Sequence, residues 1–445
     1  MASTALEILW VGLALLAIMF LGWLSGFLKL FHDNYMVPLH YLNIFVFYFG
    51  IPALVFKGLA TKDFGQLDWV FVAAFLLLRV FSGLAILLVT LVTDRKIGSF
   101  LTHWIGSTWM NTVIFGIPIL VAIYGPKVSI LNILAAFSSL FFQLPFMLTL
   151  YEWRALRKEQ KHQDGDDAAH QSSSDQAVEL EMQPADSSAD ADAQDLKSSQ
   201  PIQEGASSSK RDGSAAPIRP PKHWTPAWLK RMRTTHPWPY ILLLILLRVL
   251  QNPPLIGILL GLLYSAIITT AIGVSAKDFP EVIDYFCTWL GNSVIPLAAF
   301  CVGSFMNGPF LRNVLRKWWI VLIYLVAKLL LLPLLAIPIF LMLGIDGVDA
   351  RAGVMIASLP VALAAFSLSK QYDRGVEEMT SVISLGTLLM LPTALFWDWM
   401  MDVMDIWAST PNPYAPVPPP SCAPTPAPPP SNGTMTNDTM TAMAW

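Results

Sequence analysis

Trp109-Met110-Asn111-Thr112-Val113-Ile114-Phe115-Gly116-Ile117-Pro118 is the stretch that decides the fold. It sits inside an apolar run, roughly Leu101–Tyr124. That run is long enough for a bilayer core of about 30 Å, which takes about 20 helical residues. A proline inside a spanning helix removes a backbone donor and clashes with the preceding turn. In lipid the groups so freed must be met by protein or water, so the helix is expected to break at Pro118 and to line a cavity. Asn111 and Thr112 stand before that break. A second stretch, Ala357-Ser358-Leu359-Pro360-Val361-Ala362, has the same character inside the run Ala352–Lys370. If the two broken stretches cross, two half-helix N-termini meet near the midplane, where free N–H groups and helix dipoles favour an anion. Asn111 would add an amide donor and Thr112 a hydroxyl. Pro118, Pro360 and Val361 would line the same spot, and Ser139 would face it from the next span. An isolated Asn in a membrane helix often makes only an interhelical hydrogen bond worth about 0.6–2 kcal/mol. The glycine and proline beside Asn111 favour a site.

Composition sets the frame. Of 445 residues, 55% are hydrophobic and 13% charged, about half the usual charged share. The net charge of −3 gives no basic footprint for nucleic acid. Three cysteines and seven scattered histidines make neither a disulfide framework nor a metal site. No phosphate-binding glycine loop, zinc-protease helix or nucleophile elbow is present. The expectation is an integral membrane protein that is not an enzyme and holds no cofactor or metal.

Working outward from the two stretches gives ten apolar runs. Five are Ile8–Phe27, Tyr41–Ala60, Trp69–Val92, Leu101–Tyr124 and Ser129–Leu150; five more are Pro253–Ile272, Ile283–Phe305, Trp318–Leu343, Ala352–Lys370 and Met379–Met400. Pro239–Gln251 is apolar but short, and is expected at the interface. Trp397-Asp398-Trp399 reads as an interfacial belt at the end of the last span. The domains are then residues 1–151, a first five-helix repeat; 152–237, a Ser- and Asp-rich loop too polar to bury a core; 238–400, the interfacial segment and a second repeat; and 401–445, a Pro-rich tail. Basic residues at both ends of the loop place it in the cytoplasm, so both termini fall outside. The tail carries two acceptor sequons, Asn432-Gly-Thr434 and Asn437-Asp-Thr439, which agree with an outer or lumenal side. The plasma membrane fits this topology, and so does the endoplasmic reticulum. The many serines of the loop offer sites to kinases.

The halves repeat. Gly50-Ile51-Pro52-Ala53-Leu54-Val55-Phe56 matches Val294-Ile295-Pro296-Leu297-Ala298-Ala299-Phe300. Pro52 lies 66 residues before Pro118, and Pro296 lies 64 before Pro360. Each half places one basic residue inside a span, Arg79 and Lys328. Five is an odd number of spans, so the second copy enters the membrane from the opposite side, an inverted repeat of the kind secondary transporters use. A mid-membrane cation costs at least ~2.5–3.5 kcal/mol on insertion scales. Arg79 and Lys328 are therefore expected to hold unwound carbonyls and half-helix C-termini in place of a coupling cation.

At these residues a resemblance becomes specific. Asn111-Thr112 through Gly116-Ile117-Pro118-Ile119-Leu120 to Tyr124-Gly125 resembles the Asn-Thr…Gly-Ile-Pro-Leu-Leu…Tyr-Gly signature of the PIN-FORMED auxin efflux carriers and their wider family. Tyr151-Glu152-Trp153-Arg154, Gln251-Asn252-Pro253-Pro254 and Leu359-Pro360…Phe366…Lys370-Gln371-Tyr372 are similar to that family's motifs in the same order. The resemblance covers both halves without the loop and tail. It implies a ten-helix crossover fold of the bile-acid-symporter and sodium/proton-antiporter type, usually dimeric, with elevator-like alternating access. It implies an auxin (indole-3-acetate) or related organic-anion substrate held at the crossover by Asn111, with Pro118 and Pro360 as crossover prolines and Arg79 where a supporting Lys is expected. This chain departs from the pattern at Met110, Val361, Ala365 and Phe75, where the family has Pro, Gln, Pro and an acidic residue. The alternative function is a cation-coupled dicarboxylate or bile-acid-like symporter; a further one is a scaffold that signals through the loop.

Overall fold

The computed structural model describes residues 2–30, 36–93, 95–154, 157, 237–273, 278–307, 314–372 and 374–407. The long loop, the tail and the sequons at Asn432 and Asn437 lie outside them. Among the described residues the chain is all-helical, with one isolated β-bridge between Met110 and Val361.

Six helical spans are long and apolar enough to cross a membrane: Leu6–Phe27, Tyr41–Ala60, Trp69–Thr93, Ser129–Arg154, Glu281–Phe305 and Trp318–Met342. The pair Val376–Leu388 and Met390–Val403, bent by 58°, makes a seventh. The helices are α1 (Ala2–Phe27), α2 (Met36–Phe45), α3 (Ile51–Ala60), α4 (Trp69–Thr93), α5 (Ile97–Thr108), α6 (Ile117–Tyr124) and α7 (Ser129–Ser138). After the loop come α8 (Pro237–Leu250), α9 (Pro253–Tyr264), α10 (Glu281–Phe305), α11 (Trp318–Val326), α12 (Leu332–Met342), α13 (Gly347–Ser358), α14 (Leu363–Gln371), α15 (Val376–Leu388) and α16 (Met390–Val403). Helix α9 starts under an Asn252 cap, whose side chain accepts from the Leu255 N–H at 3.3 Å, followed by two prolines at the first turn, where a missing donor costs nothing. The short α8 turns Tyr240, Ile241 and Ile245 inward and leaves Trp238 exposed.

Pro118 does not break the fourth span where the sequence reading put the break. Four π turns, Val46–Gly50, Thr112–Gly116, Ser139–Gln143 and Ala327–Leu331, each end two residues before a proline: Pro52, Pro118, Pro145 and Pro333. The wider turn carries the carbonyl four residues back away from the pyrrolidine ring, so the clash is relieved and the rod continues. Pro118 is accordingly the second residue of α6. The fourth span opens earlier, at Trp109–Asn111, between α5 and the π turn. The ninth opens where expected. Leu359 (φ −61°, ψ 149°) is extended before Pro360, as a residue preceding proline prefers to be, and Ala362 (φ −71°, ψ 148°) closes the gap.

The Trp397-Asp398-Trp399 run is also not the belt expected from sequence. Trp399 is exposed, but Trp397 and Asp398 are buried. The Trp397 Nε1 donates to the Leu329 carbonyl oxygen at 2.8 Å, and Asp398 lies 3.7 Å from Arg351, which also bonds Asp402. Side-chain contacts with a π turn and a half-buried guanidinium draw two of the three residues into the protein.

Candidate substrate site at the helix crossover

The two openings meet. The Asn111 N–H donates to the Pro360 carbonyl oxygen at 2.9 Å, and the Ala362 N–H donates to the Trp109 carbonyl oxygen at 3.3 Å. Met110 and Val361 form the antiparallel bridge between these bonds. Unwound backbone in a dry core needs such partners, and each broken stretch supplies them to the other. Asn111, Thr112, Pro360 and Val361 are all buried.

Four helix ends surround the bridge. Two are C-terminal, and each receives a cation. Arg79, on α4, donates from Nη1 to the Thr108 carbonyl oxygen at 2.6 Å. Lys328, in the π turn before α12, donates from Nζ to the Ala357 carbonyl oxygen at 2.6 Å. Both bonds join residues 29 apart in sequence, so the two halves of the chain repeat the same device. Arg79 and Lys328 are each 1% exposed. Their charges sit against the negative ends of α5 and α13. The remaining ends, at Thr112 and Leu363, are N-terminal and begin at Asn111 and Ala362, the residues that directly follow the bridge. Positive helix ends are thus left uncompensated beside each other while the negative ones are filled, which biases the spot toward an anion.

The fifth span holds Arg79 in place. The Arg79 Nη2 donates to Ser139 Oγ and approaches Met110 Sδ at 3.6 Å. Gln143 Nε2 donates to Thr108 Oγ1 at 2.7 Å. Ser139 therefore sits on the cation rather than on Asn111. Pro118 lies half-buried in α6, beyond the opening. Pro52 and Pro296 lie in α3 and α10, which pack on one another. Gly257 of α9 comes against the Pro52 backbone, where a Cβ would sit 2.6 Å from its carbonyl oxygen. These two prolines are packing positions away from the bridge.

Besides Gln143, whose Oε1 has no donor although its Nε2 is bonded, two amides at the crossover carry unpartnered atoms. Asn111 is 3% exposed, and its Nδ2 has no hydrogen bond. Asn132, on α7, is wholly buried, and neither its Nδ2 nor its Oδ1 has a partner. The sequence reading passed over Asn132. Its signal was a polar residue inside an apolar span, seven positions before Ser139 and so near the same helix face. Beside the start of α14 a small apolar cleft, with room of about 10 Å³, opens between Leu363 and Phe366, Phe305 of α10, and Ile383 of α15. The Phe305 and Phe366 rings lie 5.7 Å apart at its wall.

Comparison with known proteins finds relatives along most of the chain. The chain is 24% identical over 393 residues to auxin efflux carrier component 8 of Arabidopsis thaliana, covering 86% of this chain and 95% of that protein. It is 22% identical over 389 residues to a probable auxin efflux carrier component 9 of Oryza sativa subsp. japonica, covering 80% and 89%. An uncharacterized transporter of Methanothermobacter thermautotrophicus is 28% identical over 153 residues, 34% of this chain and 47% of that protein. The model of the membrane transport protein family (Mem_trans) matches residues 12–398, so this chain belongs to that family, the family of the auxin efflux carriers.

Proposed function

We propose that this protein is an efflux carrier for an organic acid anion, with auxin (indole-3-acetate) as the leading substrate. The supporting observation is the buried, unpartnered Asn111 Nδ2 at a half-helix N-terminus, in a crossover whose C-terminal ends are already bonded by Arg79 and Lys328. The substrate carboxylate takes the Asn111 amide and the first N–H groups of the Thr112 and Leu363 ends. Thr112, Pro360 and Val361 line that spot, Pro118 sets the start of the half-helix beyond it, and Ser139 serves it through Arg79. Arg79 and Lys328 stand in for a coupling cation, so export needs no sodium.

The carrier works as two inverted five-helix repeats, ten spans in all, and moves its substrate by an elevator motion. The runs Pro253–Ile272, Leu101–Tyr124 and Ala352–Lys370 supply the three spans beyond the seven continuous or bent ones. The long loop is cytoplasmic and open to kinases, both termini are outside, and the protein is a homodimer of the plasma membrane. A negative interior drives the anion outward by about 2.3 kcal/mol per charge per 100 mV. The test is flux of labelled indole-3-acetate in vesicles at an imposed potential, with and without sodium. Potential-driven flux that Asn111→Ala abolishes supports the reading. No flux at any potential removes it, and flux that requires sodium selects a cation-coupled symporter instead.

A further inference from the structure

Asn132 is the one fully buried side chain among the described residues whose amide nitrogen and amide oxygen both lack a partner. An orphaned buried polar group is destabilising, and leucine would fill the same place without that cost. The amide is held against the crossover. A Cβ added at Gly116 would meet Asn132 Oδ1 at 2.3 Å and Leu359 Cδ1 at 2.7 Å. Only a glycine lets the oxygen come this close. Gly116 ends the π turn that starts after Asn111, and its N–H donates to the Asn111 carbonyl oxygen at 3.1 Å. Leu359 directly precedes Pro360. Asn132 Oδ1 thus lies on the last residue of the π turn that follows the unpartnered Asn111, and Leu359 of the other interrupted stretch packs on the same glycine. The two residues offer complementary chemistry. Asn111 lacks an acceptor for its nitrogen, whereas the free oxygen of Asn132 lacks a donor.

We infer that Asn132 is a specificity-determining residue of the crossover site, whose Oδ1 accepts a hydrogen bond from an N–H or O–H donor on the non-carboxylate part of the substrate. The inference rests on the carrier reading above and narrows it to organic acids that carry a donor as well as a carboxylate. A site built around a buried acceptor rejects the analogue that lacks the donor, because the acceptor is then left unpaired.

The test uses two acids that differ at one atom, indole-3-acetate and its N-methyl derivative, in binding measurements on the full-length protein in detergent. Wild type is expected to bind indole-3-acetate about tenfold more tightly. Asn132→Leu is expected to bind the two acids equally, with its affinity for the N-methyl acid unchanged and its ligand-free melting temperature no lower than wild type. Asn132→Ala gives the same loss of discrimination if leucine overfills the space. Equal binding of both acids by wild type overturns the inference and leaves the carrier reading standing. So does discrimination that survives in both variants. If wild type binds neither acid, the carrier reading for auxin falls and this inference falls with it.

Discussion

The backbone N–H of Asn111 is bonded to the carbonyl oxygen of Pro360 at 2.9 Å, so the opening in one half of the chain is held by the opening in the other. Neither break stands alone. Pro360 forces the ninth span open by removing a donor and keeping Leu359 extended. The fourth span has no proline at its gap and opens to pair with the ninth. Pro360→Ala is therefore expected to impair both, abolishing indole-3-acetate flux even though no side chain of the fourth span has changed. Vesicle flux measures this, and flux at wild-type rate would refute the mutual dependence.

Asn111→Ala separates function from folding. The orphaned Nδ2 contributes no bond to the ligand-free fold, so the melting temperature should stay within about 2 °C of wild type or rise. Transport should fall by at least about tenfold, since a hydrogen bond to a charged group is worth roughly 1.5–3 kcal/mol. A large drop in melting temperature would make Asn111 a structural residue instead.

The two cations differ in how many groups depend on them. Lys328→Met removes the bond to Ala357 and should destabilise the protein by about 1.5–3 kcal/mol. Arg79→Met loses bonds to both Thr108 and Ser139 and should cost more. Arg79→Lys can keep one of the two and should fall between wild type and Arg79→Met. Denaturation in detergent ranks the three variants, and Arg79→Lys melting below Arg79→Met would contradict the assignment.

Trp397→Phe removes the donor to the Leu329 oxygen and leaves part of a buried ring's space empty. The expected loss is at least about 1 kcal/mol. Trp399→Phe, at an exposed position, should leave the melting temperature unchanged. Equal effects at the two positions would restore the belt reading.

At the start of α11, Lys317 bonds Glu378 at 2.7 Å and lies 3.2 Å from Glu377. The Glu378 carboxylate raises the Lys317 pKa, against a smaller opposing effect of burial, and Glu377 adds to the rise. A raised lysine contributes stability that is full below its unfolded pKa of about 10.4 and is lost as pH climbs through the raised value. Lys317→Gln should therefore lower the melting temperature by the same small amount at pH 6 and at pH 9. A penalty that disappears between those values would show that another group controls this contact.

Much of this was legible in the residues. Hydropathy located the runs that hold the six long apolar spans and the bent pair, because burial of backbone polar groups in lipid leaves few alternatives. Arg79 and Lys328 stood out because a charge inside an apolar run is costly. The gap at Trp109–Asn111 was not legible, since it depends on a partner strand some 250 residues away rather than on a local breaker. The burial of Trp397 was hidden for the same reason: its acceptor, Leu329, belongs to another span. Asn132 looked like one more intramembrane polar residue, and only the missing partners set it apart.

The π turns ahead of Pro52, Pro118, Pro145 and Pro333 have a consequence for how the rods are phased. A residue advances an α-helix by about 100°, so each wide turn behaves as a one-residue insertion that rotates everything beyond it by about that angle. Straightening one of them, by replacing its proline with alanine and deleting one residue, would keep the azimuth of the distal half. Replacing the proline alone, and letting the coil tighten, would swing that half's inward side chains toward lipid.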